Sequence, residues 1–506
     1  MKYYLPLAAT LGLASVSPSL HSQNMPQQRP NIIFIFSDDQ TIGALGCYGN
    51  TEIHTPNLDK LAREGMRFTN HYNTTSISMA SRCCVLTGLY EYRHGCNFLH
   101  GDFERQFIEK SYPVLLRQSG YFTGFAGKIG FVLKGEQFDA FEPLFDQWAG
   151  GPGQTLYETE SNKGISKYAY KYPHCSRAYG AWGQDFIRAA KKSGRPFCMS
   201  ISFKAPHMPF TPDPIDMKLY EGKTFTRSAN YGVENGWHLS QQVHTSRAAT
   251  SYREWVTDYD SVTAKYYALI TGLDVAVGMI REELELQDLA GNTIIIFTSD
   301  NGYNCGSHGF GDKVVPYEEG SKSPLIIYDP RLPEKYRGKI CKALTGNVDI
   351  APTILALSGL PALAGIDGKN MLPLLINPKG QVHEYLPLFN FWGIESAQSM
   401  AVVTPGWKYI YWYYAGDGMK PAEELFNLKK DPIEMNQLAG KLKYTKQLDK
   451  MRKLYDMQLD HITRYVFHDH GYPKYPALFS RIITWEQKIP LLESAGKVTE
   501  VKTNAP

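Results

Sequence analysis

The chain has 506 residues, 43% hydrophobic and 20% charged, a globular composition that excludes a largely disordered protein. Its 53 basic and 50 acidic side chains leave a net charge of +3, which argues against a polybasic nucleic-acid binder and an acidic tail protein. The length admits roughly two to four domains, and 44 Gly with 30 Pro suit a loop-rich enzyme better than a linker or a collagen.

In chain order, Met1-Lys2, an apolar run from Tyr3 to Val16 and the small, polar stretch Ser17 to Ser22 read as a secretory signal over residues 1–22. The run is too short for a membrane span, which needs about twenty apolar residues, and no later stretch reaches that length. The expectation is an exported protein, periplasmic or secreted, with no transmembrane segment. The eight cysteines could pair in an oxidising compartment, but they show no CxxC zinc spacing, and several, such as Cys198, read as small buried hydrophobes.

Residues 23–384 read as one α/β domain. Asn31 to Phe36 (NIIFIF) and Thr293 to Thr298 (TIIIFT) are continuous apolar runs, the pattern of strands buried on both faces of a parallel sheet. Thr55-Pro56 starts a helix with Leu58, Leu61 and Ala62 inward, and Tyr266, Ile270, Leu273, Val277 and Ile280 keep a helical period. Further strands are expected at Tyr121 to Ala126, Phe197 to Phe203 and Ser323 to Tyr328. The stretches from about 150 to 177 and 213 to 252 read as long loops, either over the site or as surface excursions. From residue 385 the style changes: short strands at Met400 to Val403 and Lys408 to Tyr414, then an amphipathic helix from Leu442 to Tyr465, predict a smaller α+β subdomain over 385–506.

Both long apolar strands end in acidic residues, Asp38-Asp39 and Asp300-Asn301, where open α/β sheets place their ligands. Either pair alone is more often a turn or a helix cap. Their repetition on two strands points to a shared hard cation, Ca²⁺ or Mg²⁺, since adjacent carboxylates repel unless a cation lies between them or one is protonated.

Ser78-Met79-Ala80-Ser81-Arg82, followed by Leu86-Thr87-Gly88, resembles the signature of the formylglycine-dependent sulfatases. Gly127-Lys128, Lys204-Ala205-Pro206-His207-Met208-Pro209 and Lys313 before Tyr317-Glu318 resemble further segments of that family, as does Glu424 to Leu428 near the C-terminus. The resemblance implies an alkaline-phosphatase-like, mostly parallel sheet flanked by helices. It also implies oxidation of Ser78 to 3-oxoalanine (formylglycine) and Ca²⁺ at Asp38, Asp39, Asp300 and Asn301. Arg82, Lys128 and Lys313 would supply positive charge, and His207 would protonate the leaving alcohol. An unoxidised serine would strand itself as a stable sulfate ester, so the modification is what permits turnover. One departure stands out: Gly130 occupies a place where many members carry His. His308, His94 and His174 are further candidates for substrate binding.

An exported enzyme with aromatic-rich loops fits a carbohydrate ester, and the segment from Ser307 to Glu319 resembles branches acting on sulfated amino sugars of mucin or glycosaminoglycan chains. A serine-type signature implies one protein partner, an anaerobic sulfatase-maturing (formylglycine-generating) enzyme. Two rivals remain: a phosphatase or phosphodiesterase of the same superfamily using unmodified Ser78, and a glycan-binding protein that has lost turnover.

Overall fold

The computed structural model describes residues 29–361 and 363–493. The signal-peptide reading lies outside them. Strand β1 (Asn31–Ser37) is buried along its whole length. Ile33 and Ile35 enter one apolar cluster, while Ile32, Phe34 and Phe36 enter another on the opposite face. A strand covered on both sides needs apolar residues at consecutive positions, which is why it reads as an unbroken run.

Helix α1 (Pro56–Glu64) sets Leu58, Leu61 and Ala62 into the first cluster, and β2 (Met66–Phe68) leads on to α2 (Ser78–Thr87), every residue of which is buried. Then follow β3 (Phe122–Lys128), β4 (Gln147–Gly151), α3 (Cys175–Ser193), β5 (Phe197–Ser202), α4 (Tyr259–Leu286) and β6 (Thr293–Ser299). Strands β7 (Leu325–Tyr328) and β8 (Lys339–Cys341) and helix α5 (Ile350–Leu357) complete the layer. The strands lie in the order β4-β3-β5-β1-β6-β7-β2-β8. From β4 to β6 they run parallel, and β7 is antiparallel to both neighbours. Helices α1, α3 and α4 cover one face, α2 and α5 the other. The C-terminal ends of β1, β3, β5 and β6 therefore open on one edge of the sheet.

Four antiparallel strands follow, β9 (Leu386–Asn390), β10 (Ser399–Val403), β11 (Lys408–Trp412) and β12 (Ala422–Phe426), paired in chain order. One face, with Met400, Val402, Tyr409 and Tyr411, packs on Leu448, Met451 and Tyr455 of helix α6 (Thr445–Tyr465). The other, with Ala401, Val403, Ile410 and Trp412, packs on Phe310, Val315 and Tyr317 of the α/β domain. The expected long helix thus begins at Thr445, after a single 3₁₀ turn from Leu442. Strands β2, β4, β8 and β9 went unrecognised, β2 and β8 for their three residues and β4 for its paired glycines. All eight cysteines are free thiols, buried except for Cys47 and Cys305. No described helix is long and apolar enough to cross a membrane.

The two sheets are also joined by charge. Lys408, fully buried on β11, lies 2.8 Å from Glu318 and 2.8 Å from Glu434, and burial with mutual repulsion pushes Glu434 up to about 8. Lys322 reaches Glu318 alone, so Lys408→Met removes the one cation that bridges these two carboxylates among the described residues. It should lower stability by about 3–5 kcal/mol, the range for breaking a buried ion pair, read as a lower midpoint in denaturant melts.

Candidate active site

Backbone geometry brings the acidic pairs together. Asp39 has a positive φ of 65°, so Asp38 and Asp39 do not alternate to opposite faces as consecutive residues of an extended strand would. Asp300 and Asn301 emerge beside them from β6, and the Asp39 amide donates to Asp300 Oδ1 at 3.1 Å. Lys128 ends β3 after Gly127, whose φ of 91° and lack of a side chain let the strand approach Ser202 of β5. Ser78 is the first residue of α2, at the end of the helix whose amides and dipole favour an anion. His207 lies in the loop after β5 and Lys313 in the loop after β6.

Ser78 Oγ donates to Asp38 Oδ1 at 3.2 Å, and Lys128 Nζ donates to Asp38 Oδ2 at 2.6 Å. Arg82 donates through Nε and Nη2 to Asp300 Oδ2 at 3.1 and 2.9 Å, and through Nη1 to the Lys128 carbonyl at 2.9 Å and to Ser202 Oγ. Lys313 Nζ holds both oxygens of Asp39, 2.5 Å from Oδ2, while Asn301 Nδ2 donates to Oδ1 at 2.8 Å. His207 Nδ1 donates to the Met208 carbonyl at 2.5 Å, which leaves Nε2 facing the cluster, 3.5 Å from Asp39.

Except for His207, at 13% side-chain exposure, these groups are almost fully buried. Burial alone would raise the Asp38 carboxyl, yet Lys128, His207, Arg82 and Lys313 hold it well below the usual carboxylate range. Asp39 is lowered too, its burial outweighed by Lys313 and His207. Burial, with repulsion from Asp38, raises Asp300 to about 6. Burial brings Lys128 down to about 8 and His207 down to about 4, whereas Asp39 and Asp312 push Lys313 up against its burial.

The donor set suits a hard divalent cation. Asp38, Asp39, Asp300 and Asn301 offer only oxygen ligands besides the Asn301 amide nitrogen, and the buried Asn301 Oδ1 has no hydrogen-bond partner. Gln40, also fully buried, has both ends of its amide unpartnered beside the same cluster. It was legible only as the residue following Asp38-Asp39.

The sulfatase family model matches residues 30–360, and a second, for the C-terminal region of N-sulphoglucosamine sulphohydrolase, matches residues 306–460. The chain belongs to the sulfatase family. It is accordingly a sulfuric ester hydrolase, and family members generally use formylglycine and a divalent metal. The chain is 28% identical to an N-acetylglucosamine-6-O-sulfatase of Bacteroides thetaiotaomicron, over 89% of each chain. It is 25% identical to an arylsulfatase of Clostridium perfringens, over 85% of this chain and 95% of that one. Among solved structures, one in complex with its substrate D-glucosamine-2-N,6-O-disulfate aligns with TM-score 0.69 at 26% identity, covering 88% of this chain and 99% of that one. The phosphonate monoester hydrolase of Agrobacterium radiobacter shares the fold, with TM-score 0.67 at 21% identity over 86% and 96%.

Within this sulfatase the three further histidines are not brought to the cluster as open ligands. His94 is wholly buried, donating Nε2 to Cys84 Sγ at 3.4 Å and accepting at Nδ1 from the Cys96 amide, and burial pushes it down to about 3. His174 caps α3 by accepting from the Ser176 amide, and its Nε2 meets the Thr211 carbonyl. Its ring stacks on Tyr157, whose hydroxyl donates to the His207 carbonyl, so His174 buttresses the His207 loop from behind. His308 is held between the Asn235 carbonyl and Asn230 Nδ2. In each case both ring nitrogens have partners within the protein. Conversely, Lys204, singled out only as part of a motif, is buried under Tyr157 and donates to the Thr155 carbonyl at 2.9 Å.

Gly130 has a structural explanation. Its φ is 82°, and a Cβ there would fall 2.5 Å from Arg82 Cδ. The space a histidine would need is filled by the arginine stem. Gly130→Ala should therefore displace Arg82 from Asp300 and lower kcat/KM on the order of 10²-fold, the scale of a 1 Å misplacement at a reacting centre. Steady-state kinetics beside a melting curve checks this; unchanged kcat/KM in a folded variant would contradict it.

Proposed function

We propose that this protein is an exported carbohydrate sulfatase that hydrolyses sulfate monoesters on amino sugar or galactose residues of mucin or glycosaminoglycan glycans. The observation that carries the reading is the surrounding of Ser78, whose hydroxyl meets Asp38 at a helix N-terminus within a buried ring of Lys128, Lys313, Arg82 and His207. Within that ring Lys128, Lys313 and Arg82 concentrate positive charge where the singly charged, tetrahedral sulfate ester must be held. The glucosamine class is supported by relatives named N-acetylglucosamine-6-O-sulfatase in Bacteroides thetaiotaomicron and N-acetylglucosamine-6-sulfatase in Homo sapiens, the latter at 26% identity over 69% of this chain and 64% of that one. The disulfated glucosamine bound in the aligned structure supports it further. Export is supported by the apolar leader and by relatives named as extracellular sulfatases.

In this reading Ser78 is oxidised to formylglycine by an anaerobic maturing enzyme, which supplies a hydrated aldehyde able both to take up the sulfuryl group and to release it as sulfate. Asp38, Asp39, Asp300 and Asn301 would hold Ca²⁺, which supplies a compact positive charge for the sulfate oxygens. Lys128 and Lys313, each anchored on one carboxylate, add two ammonium groups to the same pocket. Arg82 spends its donors on Asp300, the Lys128 carbonyl and Ser202, so it orients the cluster. His207, its Nδ1 fixed by the Met208 carbonyl, turns Nε2 toward the cluster and protonates the departing alkoxide once the bound sulfate anion favours its imidazolium form.

Desulfation of a panel of monosulfated sugars tests the reading. The wild type should release sulfate, Ser78→Ala should reduce turnover to a trace while remaining folded, and active enzyme should carry a mass about 2 Da below that of intact serine at Ser78, by the loss of two hydrogens on oxidation. Hydrolysis of phosphate esters by protein with an intact serine would instead favour a phosphatase. For the cation, chelation should lower the melting temperature and Ca²⁺ should restore it, as for any ligand that binds only the folded state; melting indifferent to both would refute the assignment.

A further inference from the structure

Beside the catalytic cluster lies a cavity of about 340 Å³, lined by Thr245, Ser246, Arg247, Val314, Asn390 and Trp392 among others. Val314 follows Lys313 and packs with Ile77 and Ala80, the residues that flank Ser78 and its neighbour on α2, and Trp392 rests on the same group. The cavity therefore adjoins the place where the sulfate ester would sit. One wall is the loop before α4. The other comes from the segment between β9 and β10, and Thr245 Oγ1 bonds to Ser396 Oγ at 2.8 Å across them.

Arg247 is set in this cavity in an unusual way. Its Nε lies 2.7 Å from Asp312 Oδ2, and its guanidinium carbon lies 5.6 Å from the centre of the Trp392 ring. Asp312 is nearly buried and accepts from the Lys313 amide at 2.9 Å through its other oxygen, so one carboxylate holds the Lys313 backbone and pairs with Arg247. The two Nη groups of Arg247 have no hydrogen-bond partner among the described residues, and its side chain is 53% exposed. A guanidinium paired with Asp312 by charge and steadied by an aromatic ring keeps its Nη donors for a planar or tetrahedral anion. Asn390, 5% exposed, adds an acceptor: its Nδ2 donates to the Val314 and Ala397 carbonyls at 2.9 and 2.8 Å, while its Oδ1 has no partner.

We propose that this cavity is a specificity subsite in which Arg247 reads a second anionic group on the glycan, a sulfate or a carboxylate, beyond the ester that is cleaved. Asn390 Oδ1 accepts from a neighbouring sugar hydroxyl, and Trp392 braces the guanidinium. The preferred substrates are then glycans with at least two negative groups. This rests on the carbohydrate-sulfatase reading above and goes further by naming the residue that selects among such substrates.

The test uses full-length Ser78→Ala protein, which binds without turnover, and three disaccharides sharing one 6-O-sulfated glucosamine but joined to a neutral hexose, a uronate, or a hexose with a second sulfate. Calorimetry should give at least tenfold tighter binding of the uronate or the disulfated sugar than of the neutral one, the scale of one charge-assisted hydrogen-bonded pair. Adding Arg247→Ala should erase that preference, and Arg247→Lys, which keeps the charge but loses the fork, should retain part of it. The arm that shows the preference identifies sulfate or carboxylate. Equal affinity for all three sugars before Arg247 is changed, or an equal loss on all three afterwards, would overturn the subsite. Failure of every sugar to bind, with no sulfate released by the wild type, would instead overturn the carbohydrate reading beneath it.

Discussion

Everything at the catalytic edge depends on keeping three carboxylates ionised or hydrogen-bonded where water does not reach. Asp38, Asp39 and Asp300 are at most 1% exposed, and charges so placed are tolerated only when partners surround them. Lys128 answers Asp38, Lys313 answers Asp39, and Arg82 answers Asp300. The arrangement is mutual: burial pulls the ammonium of Lys128 down to about 8 even as it stabilises its carboxylate. The lysines thus already engage oxygens that the proposed divalent cation would address.

That balance explains features that would otherwise look incidental. Gly130 is needed because the Arg82 stem crosses the position of its missing side chain. The left-handed backbone at Val314, with φ 69°, is uncommon for a β-branched residue, and Asn390 from the C-terminal sheet pins its carbonyl. The C-terminal sheet thus does more than cover apolar surface. Its inner face supports Val315 and Tyr317, and its buried Lys408 fixes Glu318, so the loop carrying Lys313 is held from two sides.

The long stretches without periodicity, near 150–177 and 213–252, serve the same end. Tyr157 and Thr155 hold the His207 and Lys204 segment from one side. Asn230 and Asn235 engage both ring nitrogens of His308, and Arg247 reaches Asp312. Such segments find their structure in the site they cover rather than in a repeating pattern of their own.

How much was legible followed from the range of the forces involved. Period and composition are local, so the buried strands β1 and β6, helices α1 and α4 and the change of style near residue 385 could be read directly, and the signature around Ser78 named the chemistry. Asp38, Asp39, Asp300 and Asn301 were readable because strand ends in a parallel sheet share one edge. Short or glycine-rich strands such as β2 and β4 were not, since their pairing energy comes from neighbours distant in the chain. Nor could sequence decide which histidines are free: His94 looks like any other until Cys84 and Cys96 close around it. Local pattern determined the elements and the chemical class. Only tertiary contact decided which polar groups are already satisfied, because a hydrogen bond depends on where a partner lies in space.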